Sequence, residues 1–131
     1  KPRVFDVVCS YSLLEHLKLP WRAVEEMASA SEGLCIMQIP NLHYFIEPHT
    51  KTPLLFLFPH IVRERIVQIT VPDIHLEFSV SYANLTRRFK HAGFVTVSCL
   101  RVHHAKWTKV LKIPQGFLLS FQRVHQFRYK S

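Results

Sequence analysis

Val4-Phe5-Asp6-Val7-Val8-Cys9 and Leu34-Cys35-Ile36-Met37-Gln38-Ile39 are two short, β-branched and apolar runs that do not alternate with polar residues. Near-continuous runs of this kind suit parallel strands covered on both faces. Between them, Pro20 can open a helix as its first residue, where a missing N–H costs nothing. Trp21, Val24, Met27 and Ala28 share one helical face, and Gly33 stands where that helix should stop, so the pattern predicts a helix over Pro20–Ser31. Strand, helix and strand in this order make a βαβ unit, whose crossover is right-handed and whose strands are parallel.

Outward from that unit, Ser10–Ser12 break the first strand, and Leu13-Leu14-Glu15-His16-Leu17 read as one or two helical turns. Pro40-Asn41 end the second strand. Residues 42–77 then carry Pro48, Pro53 and Pro59 with an apolar Leu54–Phe58 cluster, the composition of an irregular insertion over the carboxyl edge of the sheet. Within it, a basic amphipathic helix is expected over Pro59–Gln68, with Ile61, Ile66 and Val67 inward. Ser79 or Ser81 can cap a further helix that presents Tyr82, Leu85 and Phe89 on one face and ends at His91-Ala92-Gly93. Val95–Val102 and Gly116–Val124 follow as strands. The link between them leaves room for an antiparallel return but little for a full crossover. The expected fold is α/β, with parallel strands 4–9, 34–39 and 95–102 and an antiparallel last strand near 116–124.

The chain has 131 residues, 48% hydrophobic and 20% charged, which suits one folded domain rather than a disordered segment. Its longest apolar run, Leu54–Phe58, is far short of the roughly 20 residues of a membrane span. There is no basic-then-apolar leader, and the chain opens on Lys1 inside a predicted strand, so a partial domain, 1–131, is expected. Cys9, Cys35 and Cys99 are odd in number and far apart, which reads as reduced thiols in a cytoplasmic protein. With no C-x-x-C pair and one adjacent histidine pair, His103–His104, no metal site is expected. Residues 1–77 hold all nine acids and seven Lys/Arg, whereas residues 78–131 hold ten Lys/Arg and no acid. An acid-free half is a footprint for phosphate, an acidic substrate or an anionic membrane surface, and equally the solvated surface of a domain whose acids lie elsewhere.

Three phrases resemble a known family. FDVVCSYSLLEHL at residues 5–17 looks like the fourth strand and following turn of class I S-adenosylmethionine-dependent methyltransferases. EGLCIMQIPN at residues 32–41 looks like that family's fifth strand, and SVSYANLTRRFKHAGFVTVSCLRV at residues 79–102 like its late helix and sixth strand. The phrases come in the family's order and at its spacing. The resemblance implies a partial Rossmann-like methyltransferase sheet, the carboxyl half of the domain, with residues 42–77 as the acceptor lid. The family's glycine-rich cofactor loop and its ribose-binding acid have no counterpart. The chain has three glycines, at 33, 93 and 116, and no G-x-G.

The resemblance further implies methyl transfer from S-adenosylmethionine to a small-molecule or lipid-like acceptor, with the chain alone expected to be inactive. In-line displacement needs an oriented acceptor, excluded water and, for some acceptors, a base. Ligands of open α/β sheets bind at the carboxyl ends of strands. There the resemblance places Cys9, Ser10 and Tyr11 against the cofactor's methionine arm, with a turn and a packed aromatic as the plainer account. Asn41, His103, Lys106 and Trp107, with Lys109 and Lys112, are the substrate-binding candidates. His43 and His49 on the insertion are candidate bases, since an unperturbed imidazole titrates near neutral pH. Glu15-His16 match the family phrase and read as orienting the loop.

Two other readings stay open on the sequence. One is a non-catalytic basic module for nucleic acid or an anionic membrane surface, although no zinc finger, helix-turn-helix or RNA-binding aromatic signature accompanies the charge. The other is a pseudoenzyme subunit. In either methyltransferase reading, an upstream half or a partner chain covers the edge of strand 4–9, which is central in the family and exposed here.

Overall fold

The computed structural model describes residues 5–103 and 114–124. Four strands form one sheet: β1 (Phe5–Tyr11), β2 (Ser31–Pro40), β3 (Phe94–Val102) and β4 (Gly116–Arg123), in the spatial order β1-β2-β4-β3. β1 and β2 are parallel, with Val8 opposite Cys35 and Cys9 opposite Ile36. β4 is antiparallel to both β2 and β3, so β1, β2 and β3 share one direction and the last strand is inserted between them in the opposite sense. Helix α1 (Pro20–Ala30) makes the crossover from β1 to β2, with Pro20 in its first turn. The mixed sheet with one reversed strand is the partial Rossmann-like sheet that the sequence predicts.

α1 and α3 (Tyr82–His91) cover one face of this sheet. Val24 and Ala28 of α1, Leu85 and Phe89 of α3, and Cys35, Met37, Ile39, Leu119 and Phe121 of the sheet are buried together. Alternate residues of a strand face opposite ways, so the intervening positions form a second face. That face is bare at Val7, Cys9, Val95 and Leu100. The composition of β1 suits a strand covered on both sides, and its position is the exposed edge expected where the family's neighbouring strand has no counterpart. It is an outer strand, exposed along most of its length.

Two expectations about local structure need correction. Gly33 does not stop α1. The helix ends at Ala30, Ser31 is already extended (φ −88°, ψ 129°), and Gly33 lies inside β2. Its role is close approach: a Cβ there would stand 2.8 Å from the Asp6 carbonyl oxygen, where the β1–β2 register shifts between Phe5 and Val7. Gly93, by contrast, has φ +83° and closes α3 as a left-handed cap, its N–H donating to the Lys90 carbonyl. The second correction concerns α2 (His60–Thr70), which begins after Pro59. Val67 is buried as expected, but Ile61 is 79% exposed and points away from the sheet.

Ser81 is the N-cap of α3, its hydroxyl accepting from the Asn84 N–H at 3.3 Å. At the other end of the helices, Arg123 of β4 donates from Nε to the Ser31 carbonyl (3.1 Å), from Nη1 to the Ala92 carbonyl (3.4 Å) and from Nη2 to the Ala28 carbonyl. Its guanidinium lies 4.3 Å over the Phe94 ring. One cation thus serves the carbonyl-rich ends of α1 and α3 together, where a positive charge is favoured by both helix dipoles. That contact ties the two helices to the last strand.

Candidate functional site

The carboxyl ends of β1 and β2 point to the same side, and the insertion folds back over them. Asn41 fixes where the insertion leaves the sheet. Its N–H donates to the Gln115 carbonyl and its Nδ2 to the Pro114 carbonyl, both at 2.8 Å, while its Oδ1 accepts from the His43 N–H. The returning end is pinned by the Glu77 N–H to the Glu15 carbonyl and by His16 Nδ1 against the His75 carbonyl at 3.1 Å. A bridge between Ile46 and Pro53 stiffens the middle. The insertion is therefore a folded strap anchored at both ends.

Beneath it lie two adjoining spaces. An open groove of about 220 Å³ runs along the strand ends, lined by Ser12, Gln38, Gln115, Gly116 and Ile39. A smaller recess of about 30 Å³ lies behind it, lined by Tyr44, Leu55, Phe56, Arg63, Leu76 and Phe78 among others. Glu15, Pro40, Pro48 and His49 line both and form the partition. Leu55 is buried under the strap and Phe56 faces the recess, whereas Leu57 and Phe58 turn outward. The apolar cluster thus splits between pocket wall and surface.

His49 is the candidate base that the fold brings to the strand ends. Its Nδ1 is 2.7 Å from Glu47 Oε1, and the other oxygen, Oε2, accepts from the Thr50 N–H at 2.5 Å. A carboxylate can only accept, so Nδ1 is the nitrogen that carries a proton in this contact, and Nε2 is the ring nitrogen not engaged by Glu47. The ring also meets His16 edge-on, with centroids 5.0 Å apart. For Glu47, burial favours the neutral acid, but the hydrogen bonds from Thr50 and His49 outweigh it and hold the carboxyl below its ordinary value of 4.5. Stabilisation from Glu47 is therefore present above the unfolded value and is lost as pH falls through the folded one. In an NMR titration the Thr50 amide is expected to move with a midpoint below 4.5, and Glu47→Gln to abolish that movement; a midpoint at or above the ordinary value would remove the carboxylate clamp.

His43 is elsewhere. It is exposed and packs against Phe56 with ring centroids 5.6 Å apart, lining neither the groove nor the recess. Of the cofactor candidates, Cys9 and Tyr11 are exposed and Ser10 is buried with its Oγ unpartnered among the described residues. Ser12 follows with φ 43°, a strained turn held by its N–H to the Gln38 carbonyl and by Gln38 Nε2 to its Oγ. His103 follows β3 and has a buried Nδ1 with no partner among the described residues. Lys106 and Trp107, like His104, Lys109 and Lys112, lie outside the described residues. Glu47 is the functional candidate that sequence reasoning passed over; a Glu two residues before a His inside a proline-bounded turn is the signal that could have found it.

No family model matches the sequence, and no curated protein matches it. Solved structures do. The chain superposes on an S-adenosylmethionine-dependent methyltransferase from Mesorhizobium loti with a TM-score of 0.64 at 13% identity, over 92% of this chain and 62% of that one. It superposes on the magnesium protoporphyrin IX methyltransferase of Synechocystis PCC 6803, solved with bound SAH, with a TM-score of 0.54 at 12% identity, over 95% of this chain and 47% of that one. A third likeness, TM-score 0.60 at 14% identity and covering 97% and 57%, is to a chain from the Haloferax volcanii complex between the Trm112 methyltransferase activator and a protein assigned as a methyltransferase. The chain has the class I methyltransferase fold. It spans about half to three-fifths of the length of these proteins. Among the described residues no helix is long and apolar enough to cross a membrane, and no three His, Cys, Asp or Glu side chains gather to hold a metal ion.

Proposed function

We propose that these residues form the acceptor-side half of a cytoplasmic S-adenosylmethionine-dependent methyltransferase acting on a small-molecule or lipid-like acceptor. The observation that carries the reading is the Glu47–His49 pair, held on a strap over the strand ends of a methyltransferase-like sheet. When bound, S-adenosylmethionine supplies a methyl group on a positively charged sulfur. The chain's own residues have simpler tasks. Ser10, Tyr11 and the strained Ser12 turn border the cofactor's methionine arm. The strap excludes water, and His49 Nε2 takes the acceptor's proton while Glu47 stabilises the resulting imidazolium. Asn41 acts by fixing the strap through its hydrogen bonds to backbone.

The residues fit one side of the cofactor. Glycines that let the backbone approach it are not among these 131 residues, which contain no G-x-G. The open edge of β1 and the bare sheet face are where the other half of the sheet, or a partner chain, packs. Calorimetric titration of the 131-residue chain with S-adenosylmethionine is therefore expected to show no micromolar affinity, about −8 kcal/mol. Millimolar SAH is still expected to shift the backbone amides of Ser10, Tyr11 and Ser12 in NMR spectra. Micromolar binding would overturn the half-site, and an absence of those shifts would overturn the cofactor role.

A further inference from the structure

The strap has an outer side as well as an inner one. α2 buries Val67 and turns Arg63 to the recess, and the opposite face of the helix carries Ile61, Val62, Arg65 and Ile69, all exposed. Ile61 is 79% exposed and Ile69 71%. Leu57 and Phe58, just ahead of the helix, are exposed too and lengthen the patch. A surface helix ordinarily keeps one apolar stripe for the core and shows charge on its other side. α2 is apolar on both, and contiguous large apolar side chains left in water mark a docking surface.

The charge on that face is of one sign. Arg65 stands midway along the stripe, exposed and with no ion pair among the described residues. The one acid of the helix, Glu64, lies off the stripe and is met by His60 Nδ1 at 3.4 Å. An apolar stripe with an unneutralised cation at its middle, on a chain of net charge +8, complements a surface that is anionic outside and apolar beneath. A second copy fits poorly, because a two-fold axis through the stripe sets Arg65 against Arg65. Neighbours that continue the sheet belong at the edge of β1 and on its bare face, whereas the stripe is on the side of α2 opposite Val67.

We propose that the outer face of α2 docks on an anionic phospholipid bilayer. The helix lies in the interface, its aliphatic side chains at the headgroup boundary and Arg65 among the phosphates. The docking stands apart from methyl transfer. Its consequence for the acceptor rests on the proposed methyltransferase function: a docked strap brings the groove that it covers to the surface where lipid-like molecules reside.

Flotation of the 131-residue chain with lipid vesicles on a density gradient separates docking from aggregation, since aggregates stay below. The chain is expected to float with vesicles of equal parts phosphatidylcholine and phosphatidylglycerol. With phosphatidylcholine alone the partitioning is expected to fall about fivefold or more, the contribution of one cation near an anionic surface. Ile61→Ser with Ile69→Ser is expected to lower partitioning into the mixed vesicles about tenfold or more, and Arg65→Gln about fivefold. Melting temperatures should change little, because all three side chains are exposed. Val7→Ser with Leu100→Ser, on the bare sheet face, is expected to leave flotation as it was. No flotation with the mixed vesicles, equal flotation with both kinds, or flotation indifferent to Ile61 and Ile69 would overturn the proposal. So would a change of oligomeric state, in place of lipid binding, when those two are substituted. If docking fails while SAH still shifts Ser10–Ser12, the methyltransferase reading stands without it; docking without those shifts keeps the surface and removes that reading.

Discussion

Phe89→Ala is expected to cost about 3–5 kcal/mol of folding stability, read as a lower urea midpoint with an unchanged slope. Phe89 is fully buried on α3. Its ring stacks on Phe121 of β4 with centroids 4.2 Å apart and planes at 12°, and meets Phe94 of β3 edge-on at 5.5 Å. Truncation removes the ring contacts that Phe89 makes with both strands and leaves a cavity that three elements must collapse to fill. Against a total of about 5–15 kcal/mol, the variant sits near the edge of folding. The effect reaches the site, because β4 begins at Gly116, which with the preceding Gln115 lines the groove. A cost below about 1.5 kcal/mol, the range of a volume-conserving swap, would mean that α3 is not seated on the sheet through this side chain.

The elements that sequence reading located well are those whose pattern is local. Two apolar runs, a proline-opened amphipathic helix and a serine-capped helix closed by Gly93 each carry their signal within a dozen residues. The failures involve partners distant in the chain. Gly33 looks like a helix stop because glycine usually ends helices, yet its hydrogen side chain serves the Asp6 carbonyl across the β1–β2 pair. Ile61 and Val67 belong to one amphipathic pattern, and only the position of the strap determines which side is inward. The run in β1 has the composition of a central strand, and the exposure of its edge was legible only from the family's strand order.

The site was legible in part for the same reason. His49 stands out as a histidine on an inserted loop, but its value depends on Glu47, whose carboxylate fixes the tautomer and which no long-range motif advertises. Glu15 reads as a loop-orienting residue, and its backbone does hold the returning strap through Glu77. That its side chain is buried under the strap emerges only once the insertion is folded over the strand ends. Charge is a signal of another kind. The excess of Lys/Arg lies in residues 78–131, and the recess under the strap is lined by Glu15, Glu47 and Glu77 with Arg63. Net charge describes long-range attraction, and the polarity of a small enclosed space is set by the few side chains that reach it.

The 131-residue chain is expected to self-associate in solution, and the cause is the sheet rather than the strap. β1 is an outer strand whose free edge has no pairing partner among the described residues, and its stretch from Phe5 to Tyr11 carries one charge and no proline. Natural edges are usually blunted by lysine, proline or a bulge, and an unprotected one templates pairing with another chain. Beside it the bare face exposes Val7 at 49%, Val95 at 49% and Leu100 at 59%. A sheet with parallel strands is ordinarily covered on both faces, so this surface is built to be packed. Val7→Lys with Leu100→Lys places charge on the edge strand and on the bare face without entering the core under α1 and α3. Each substitution is expected to change stability by no more than about 0.5 kcal/mol, as for other exposed positions, while light scattering shifts from aggregates or oligomers toward monomer. Destabilisation of about 2 kcal/mol or more would place these side chains in a core, and a monodisperse wild-type monomer would show that the chain closes its own sheet. Conversely, a segment that supplies the neighbouring strand and its helices should lose its hold on the doubly substituted chain, since the lysines then stand where apolar packing is required.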